Sequence, residues 1–114
     1  MISLTLPVPP RLNKKFISRT FVVSREHRDF KRTVARLVGL EVVPYTCDVS
    51  VVVIWYRQRK AGDIDGILKA LLDAMQGVVY KNDSQVAHLS VQRSDLEKDN
   101  PRVFVMVQPF VDRL

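Results

Sequence analysis

Residues 47–76, CDVSVVVIWYRQRKAGDIDGILKALLDAMQ, join a strand to a helix through one polar loop. The first part, 47–56, is β-branched almost throughout, which is typical of a buried strand in the middle of a sheet. In 65–76 the apolar residues recur at helical spacing, and Gly77 follows where a left-handed helix end is expected. The stretch therefore predicts a central strand and a helix of the same domain.

The patterning outside this stretch completes one domain that spans residues 1–114. The further predicted elements are a strand at 2–6, a possible short strand at 19–23, a helix from Ser24 to about Leu40, and strands at 84–92 and 102–108 that form an antiparallel pair. The resulting order is β-(β)-α-β-α-β-β. This order predicts an α+β fold in which two helices pack on one mixed β-sheet.

The charge of the chain points to an anionic partner. The formal net charge is +6, and much of the excess falls on the loop and helix between Arg11 and Arg36. In that helix, Phe30, Val34 and Leu37 form an apolar stripe, whereas arginines line the opposite side. A second basic cluster comprises Arg57, Arg59 and Lys60. The basic residues predict contacts to a phosphate backbone, and a merely solvated basic surface is the alternative reading.

Two classes of protein are disfavoured by the composition. Cys47 is the single cysteine, which excludes an intramolecular disulfide and a cysteine-based zinc site. The longest apolar run, 51–56, is far too short to cross a bilayer, and the first residues lack the pattern of a signal peptide. We expect a cytoplasmic protein that has no membrane partner and no organic cofactor.

Asp63 and Asp65 stand immediately before the apolar positions of the second helix, and two readings of them are open. Aspartate is a favoured N-cap residue, and a negative charge near a helix N-terminus is stabilised by the macrodipole. The polar stripe Asp65, Lys69 and Asp73 points instead to a site, because an i,i+4 pair is worth only a few tenths of a kcal/mol. Asp73 lies two turns into the helix and is expected to be an ordinary surface residue.

Asp83 adds a third carboxylate to the second reading. The helix is roughly 18 Å long at about 1.5 Å per residue. Six or seven extended residues after Gly77 cover roughly 20 Å, so an extended return can bring Asp83 to Asp63 and Asp65. Three converging carboxylates need a counter-charge, and oxygen ligands at that density select Mg²⁺ or Mn²⁺. The predicted metal ligands are therefore Asp63, Asp65 and Asp83.

The motifs GDIDGILKALLDAM and NDSQV, together with the opening LTLPVPPRLNKKF, resemble the RusA family of Holliday-junction resolvases over nearly the whole chain. The resemblance implies a small homodimeric endonuclease that needs Mg²⁺ or Mn²⁺ and nicks four-way DNA junctions in pairs, leaving 5′-phosphate and 3′-hydroxyl ends. It also implies that Asp63, Asp65 and Asp83 bind metal and that Lys69 is catalytic. The chain departs from the family at Gly66, where asparagine is usual, and at Asn82, where the family often has an acidic residue.

The residues expected to contact DNA come from the basic loop, the first helix and the second basic cluster. They are Asn13, Lys14, Lys15, Arg19, Arg28, Arg32, Arg59 and Lys60, and Asn13 is included because it matches the asparagine of the family's first loop. Two alternatives remain open at this point. One is a non-catalytic basic DNA-binding protein whose aspartates are helix caps, and the other is a related nuclease that acts on forks or flaps.

Overall fold

The computed structural model describes residues 1–10, 25–57, 64–95 and 99–111. In chain order the elements are β1 (Ile2–Leu6), α1 (Arg25–Val38), β2 (Val49–Tyr56), α2 (Leu68–Met75), β3 (Val86–Ser94) and β4 (Arg102–Pro109). Short 3₁₀ turns, Ile64–Ile67 and Asp83–Gln85, precede α2 and β3. The two helices pack on one mixed sheet, which confirms the predicted α+β class. The possible strand at 19–23 and the Ser24 cap lie outside the described residues.

The four strands are ordered β1-β4-β2-β3. β2 is parallel to β3 and antiparallel to β4, and β4 is antiparallel to β1. The prediction that the last two strands pair with each other is therefore wrong, because β4 lies on the other side of β2. The compositions explain this arrangement: β2 is apolar and needs a neighbour on each side, whereas the mostly exposed β3 suits an edge.

The core lies between the sheet and the two helices. Val49, Val51 and Val53 of β2 are wholly buried there. On α1 the buried apolar residues are Phe30, Val34 and Val38, so the predicted place of Leu37 in the stripe is wrong. Leu37 is 50% exposed because the stripe is centred between Phe30 and Val38, which leaves Leu37 at its margin.

The connection β2–α2–β3 is a crossover between parallel neighbours. The pairing of β2 with β3 runs from Val49↔Val86 to Tyr56↔Ser94, with one register shift between Val49 and Ser50. β1 is also parallel to β2, since both are antiparallel to β4. The carboxyl ends of β1, β2 and β3 consequently meet at one edge of the sheet, and each leads into a connecting segment that contains basic residues.

Gly77 follows Gln76, the extended C-cap of α2, and begins the next turn in a left-handed conformation with φ of 84°, so the predicted positive φ is confirmed and the helix itself ends one residue earlier. We expect Gly77→Ala to lower the free energy of unfolding by about 1 kcal/mol, because a Cβ strains this backbone conformation. No atom lies within 4 Å of the added Cβ, so the loss comes from the backbone alone. Urea unfolding checks it.

Gly66→Ala is the matched control for that measurement. A Cβ added at Gly66 also meets no atom within 4 Å, and Gly66 does not have a positive φ. We expect a change within about 0.5 kcal/mol or a slight stabilisation. Equal losses at the two glycines would contradict the role of the left-handed conformation.

Candidate active site

Asp65 lies in the 3₁₀ turn Ile64–Ile67 that leads into α2. The N-cap of α2 is Ile67, and no side chain caps this end. The Asp65 carboxylate is exposed and has no hydrogen bond or ion pair within the described residues. The capping explanation is therefore wrong for Asp65 with respect to α2, and the carboxylate is available to bind a ligand. Asp63, its predicted companion, lies outside the described residues.

Lys69 and Asp73 follow on the same side of α2. The Lys69 ammonium lies 3.3 Å from the Asp73 carboxylate, and both side chains are partly exposed, at 49% and 31%. A pair this exposed contributes only a few tenths of a kcal/mol. The Lys69 side chain can thus leave Asp73 for a stronger anion at little cost, and Asp73 is the ion-pair partner of Lys69 rather than an isolated surface residue.

Asn82 and Gln85 hold the NDSQV motif in place. The Asn82 side chain accepts a hydrogen bond from the Ser84 amide, and the Gln85 carboxamide oxygen accepts from the Lys81 and Asn82 amides, each at 2.9 Å. Gln85 Nε2 also donates to the Tyr45 and Cys47 carbonyls, both at 2.8 Å. These structural roles were missed in the sequence, although Asn82 and Gln85 have the spacing of a capping box.

Asp83 is fixed by its backbone. Its amide donates to Oε1 of Gln76 over 3.0 Å, while its partly buried carboxylate has no hydrogen bond or ion pair in the described part of the chain. The capping box is thus built from Asn82 and Gln85 and leaves the Asp83 carboxylate unused. A rigidly held carboxylate without a structural partner is typical of a ligand-binding residue.

The extended return predicted after α2 is wrong. Residues 77–79 form a turn, and Gln76 and Tyr80 are joined by an isolated β-bridge. This turn places the Asp83 backbone beside Gln76, whereas Asp65 precedes α2, about 17 Å away along eleven residues of helical chain. The structure thus brings the Asp83 backbone to the end of α2 opposite Asp65.

The predicted metal set can be tested by the chemistry of its donors. Asp65 and Asp83 supply unpartnered carboxylates, which are the ligands that hard divalent cations prefer. Within residues 1–10, 25–57, 64–95 and 99–111, no group of three or more histidine, cysteine or acidic residues could hold a metal ion. Because Asp63 falls outside these ranges, the donor type fits the predicted metal and the full set of three stays a prediction.

Tyr80 lies beneath the C-terminal half of α2. Its side chain is wholly buried, and its hydroxyl donates to the Leu72 carbonyl over 2.6 Å. Burial raises the pKa of the Tyr80 phenol, and the charges of Asp83 and Asp73 raise that pKa further. Asp73 and Asp83 are therefore both close enough to act on the same hydroxyl group.

We expect the raised Tyr80 pKa to make the folded state less stable in alkali. A phenol whose pKa rises on folding contributes stability that is present below the ordinary tyrosine value of about 10 and is lost as the pH increases above it. The stability of the wild type should therefore fall more steeply than that of Tyr80→Phe between about pH 9 and pH 11. Urea titrations at each pH measure this, and parallel pH profiles would contradict it.

The basic residues divide into groups with different roles. Arg28 and Arg32 line a shallow groove on α1, where Arg32 also lies 3.5 Å from Asp29. Lys31 instead donates to the carbonyls of Asp73 and Gln76 over 3.2 and 2.9 Å, which ties α1 to the end of α2. The other predicted contacts lie outside the described residues: Asn13, Lys14, Lys15, Arg19, Arg59 and Lys60.

Arg57 does not belong to a surface basic cluster, so that part of the sequence reading is wrong. The residue is 2% exposed. Its Nε and Nη2 donate to the two Asp95 carboxylate oxygens over 3.0 and 3.3 Å. This bidentate ion pair joins the carboxyl ends of β2 and β3, and the charge of Arg57 is thereby paired within the fold.

A family model described as endodeoxyribonuclease RusA matches residues 7–108. The chain belongs to the RusA family. The match covers nearly the whole chain and includes both motifs around Asp65 and Asp83. No curated protein matches the chain.

Membership in the RusA family gives the chain its general function. RusA proteins are DNA-binding endonucleases that resolve Holliday junctions in recombination and repair, and they generally depend on a divalent metal. The unpartnered carboxylates of Asp65 and Asp83 are consistent with that chemistry. Among the described helices, none has the length and apolar character needed to span a bilayer.

Proposed function

We propose that this RusA protein is a Mg²⁺- or Mn²⁺-dependent nuclease that resolves four-way DNA junctions by paired, symmetric nicks, leaving 5′-phosphate and 3′-hydroxyl ends. The observation that carries the proposal is the pair of carboxylates, Asp65 and Asp83, that have no structural partner among the described residues. Both belong to the motifs by which the chain resembles its family. Together with Asp63 they form the proposed metal ligands.

The proposed assembly of two copies accounts for the distance between these ligands. Within one chain, Asp65 precedes α2, whereas the Asp83 backbone is hydrogen-bonded to the side chain of Gln76, which lies about 17 Å from Asp65 along the helical chain and so far beyond one coordination sphere. A shared cation therefore requires that Asp63 and Asp65 of one copy meet Asp83 of a second copy.

The chemistry divides between the cation and the side chains. A bound divalent cation supplies the charge that activates a water molecule and stabilises the leaving 3′-oxygen. Lys69, paired with Asp73 at 3.3 Å, can exchange that exposed partner for the scissile phosphate and neutralise the charge that develops on it. Asn82 and Gln85 hold the backbone of Asp83, so its carboxylate is oriented before the substrate arrives.

The DNA is proposed to be held by basic residues that are not among the metal ligands. Arg28 and Arg32 face solvent on α1, and the loop residues Asn13, Lys14, Lys15, Arg19, Arg59 and Lys60 are proposed to add phosphate contacts. Since each phosphate contact releases counterions, binding should weaken steeply as salt increases. Two copies of the chain related by a two-fold axis would cut the two symmetry-related strands. We place this activity in the cytoplasm, where branched DNA is processed.

A labelled four-way junction tests the proposal directly. With Mg²⁺ or Mn²⁺ we expect paired nicks at symmetric positions and ends that DNA ligase can rejoin, and with a chelator we expect binding without nicks. Binding that never leads to nicks with either cation would favour the non-catalytic DNA-binding protein. Faster cleavage of a fork or flap than of the junction, measured beside linear duplex, would favour the related nuclease.

A further inference from the structure

The C-terminal end of α1 and the turn that follows it expose three large apolar side chains. Leu37 is 50%, Leu40 is 105% and Val43 is 82% exposed. We call these three residues the apolar tip. Single exposed apolar residues are ordinary, whereas several of them close together on a protein surface mark a place where something binds.

The backbone holds Leu40 away from the fold. Gly39 ends α1 in a left-handed conformation with φ of 81°, and its amide donates to the Ala35 carbonyl over 3.0 Å. After a helix end of this kind, an apolar residue commonly folds back on the last helical turn. Leu40 does not do so, because its side chain is fully exposed and is not part of the described core. Packing of the fold therefore gives no reason for a leucine at this position.

A line of arginines leads along α1 to the apolar tip. Arg28, Arg32 and Arg36 are spaced by four residues and are all exposed, and Leu40 follows at the same interval just beyond the helix end. The three arginines span about 12 Å of helix. Arg36 makes no ion pair within the described part of the chain, so its charge is available to a ligand. A polyanion that follows this line reaches Leu40 next.

The apolar tip lies within reach of the turn that carries Asp83. Five residues after Leu40, the Tyr45 amide donates to the Val79 carbonyl over 2.8 Å, and the Tyr45 carbonyl accepts from Gln85. Gln85 in turn holds the backbone that leads through Asp83. Five residues reach at most about 18 Å, which corresponds to about five base pairs of DNA. DNA bound near Asp83 can therefore extend to Leu40.

We infer that Leu40 is a wedge that packs against unstacked bases at the branch point of a four-way junction, while Arg28, Arg32 and Arg36 hold the phosphates of the adjoining arm. A base pair at the branch point can lose the stacking neighbour on one side, which exposes an apolar base face. Leucine is among the side chains that insert between base steps in this way. The inference rests on the junction substrate of the proposed function and adds the residue that recognises the branch.

Charge favours DNA over a protein as the partner of the apolar tip. The exposed arginines beside it attract a polyanion and release its counterions. Glu41, which follows Leu40 and is exposed, disfavours a phosphate at the tip itself. This arrangement suits a DNA backbone along α1 and a base, rather than a phosphate, against Leu40.

Binding measured in the presence of a chelator, without nicking, tests the inference. The whole chain is titrated into a four-way junction and into linear duplex of the same length, with 2-aminopurine beside the branch point. We expect Leu40→Ser to lower junction affinity about tenfold and duplex affinity less than about twofold, because the loss of stacking on one base affects the branch alone. The rise in 2-aminopurine fluorescence that the wild type causes should also be lost.

Two further variants sharpen the measurement. Val111→Ser is the matched control, since Val111 is 67% exposed but follows β4 rather than α1, and it should bind both DNAs like the wild type. Arg36→Gln should reduce the salt dependence of junction binding by about one phosphate contact, whereas Leu40→Ser should leave the salt dependence unchanged.

Four results would overturn the wedge. They are wild-type junction binding and fluorescence in Leu40→Ser, an equal loss of junction and duplex affinity in that variant, an equal loss in Val111→Ser, and a change in the oligomeric state of Leu40→Ser in sedimentation. The last result would show that the apolar tip is a protein interface.

The wedge and the nuclease proposal fail separately. Loss of branch selectivity in Leu40→Ser, together with a wild type that nicks with neither cation, would support the wedge and overturn the proposed function. Nicking by the wild type, together with unchanged branch selectivity in Leu40→Ser, would do the reverse.

Discussion

Asp65→Asn should abolish junction cleavage and leave junction binding intact. The substitution keeps the size of the side chain and removes the charge that the proposed cation requires. The carboxylate makes no hydrogen bond or ion pair in the described structure, so its loss should not disturb the fold. Metal ions contribute several kcal/mol to transition-state stabilisation, which corresponds to a rate loss of about a thousandfold or more. Single-turnover cleavage and a gel-shift titration of the same labelled junction measure the two effects.

Asp48→Asn is the matched control for Asp65→Asn. Asp48 is also exposed, and it is not one of the proposed metal ligands. The cleavage rate of Asp48→Asn should equal that of the wild type. Normal nicking by Asp65→Asn would remove Asp65 from the mechanism, and a parallel loss of binding would show that the carboxylate acts on DNA affinity rather than on the chemical step.

Gln85→Ala should weaken both the fold and the site. The Gln85 side chain makes hydrogen bonds to the Lys81 and Asn82 amides and to the Tyr45 and Cys47 carbonyls. At about 1 kcal/mol for each bond, reduced by the access of water to the vacated groups, we expect the free energy of unfolding to fall by about 2–3 kcal/mol. Urea unfolding measures the loss.

The cleavage rate of Gln85→Ala distinguishes a role of Gln85 in positioning Asp83 from a role in global stability alone. Without Gln85 the turn that carries Asp83 loses its connection to residues 45–47, so we expect slower cleavage even at a temperature where the variant is fully folded. Ser84→Ala, next to Asp83 and exposed, keeps all four Gln85 bonds and should match the wild type in both measurements. Full cleavage activity in folded Gln85→Ala would show that Asp83 does not need this brace.

The local parts of the fold were predictable because they depend on neighbouring residues. The β-branched run of β2, the helical spacing from Ile64 to Met75 and the position of Gly77 each indicate a conformation through short-range sterics and periodicity. Two helices on a mixed sheet follow from the order of these elements. The partner of β3 did not follow, because alternation along a strand determines its faces and not which distant strand lies beside it.

The site was predictable in its residue types and not in its positions. The number of residues after Gly77 limits the distance between Gly77 and Asp83 but does not give the direction in which the segment runs. The turn at 77–79 was therefore missed. The structural role of Gln85 was missed, and Arg57 was misjudged, for a related reason: their partners Tyr45 and Asp95 are 40 and 38 residues away. A polar side chain whose partner is that distant looks the same in sequence as one that binds a ligand.

The register of the parallel pair β2 and β3 sets the position of Asp65 relative to Asp83. Asp65 follows the end of β2 and Asp83 precedes the start of β3, so the place of each carboxylate relative to the other depends on which residues of these strands are aligned. A slip of one residue moves one carboxylate by about 3.3 Å, more than the tolerance of a metal ligand. The pairing contains one register shift, between Val49 and Ser50. Homologues should therefore tolerate insertions within 58–62 far better than between Gly77 and Val86.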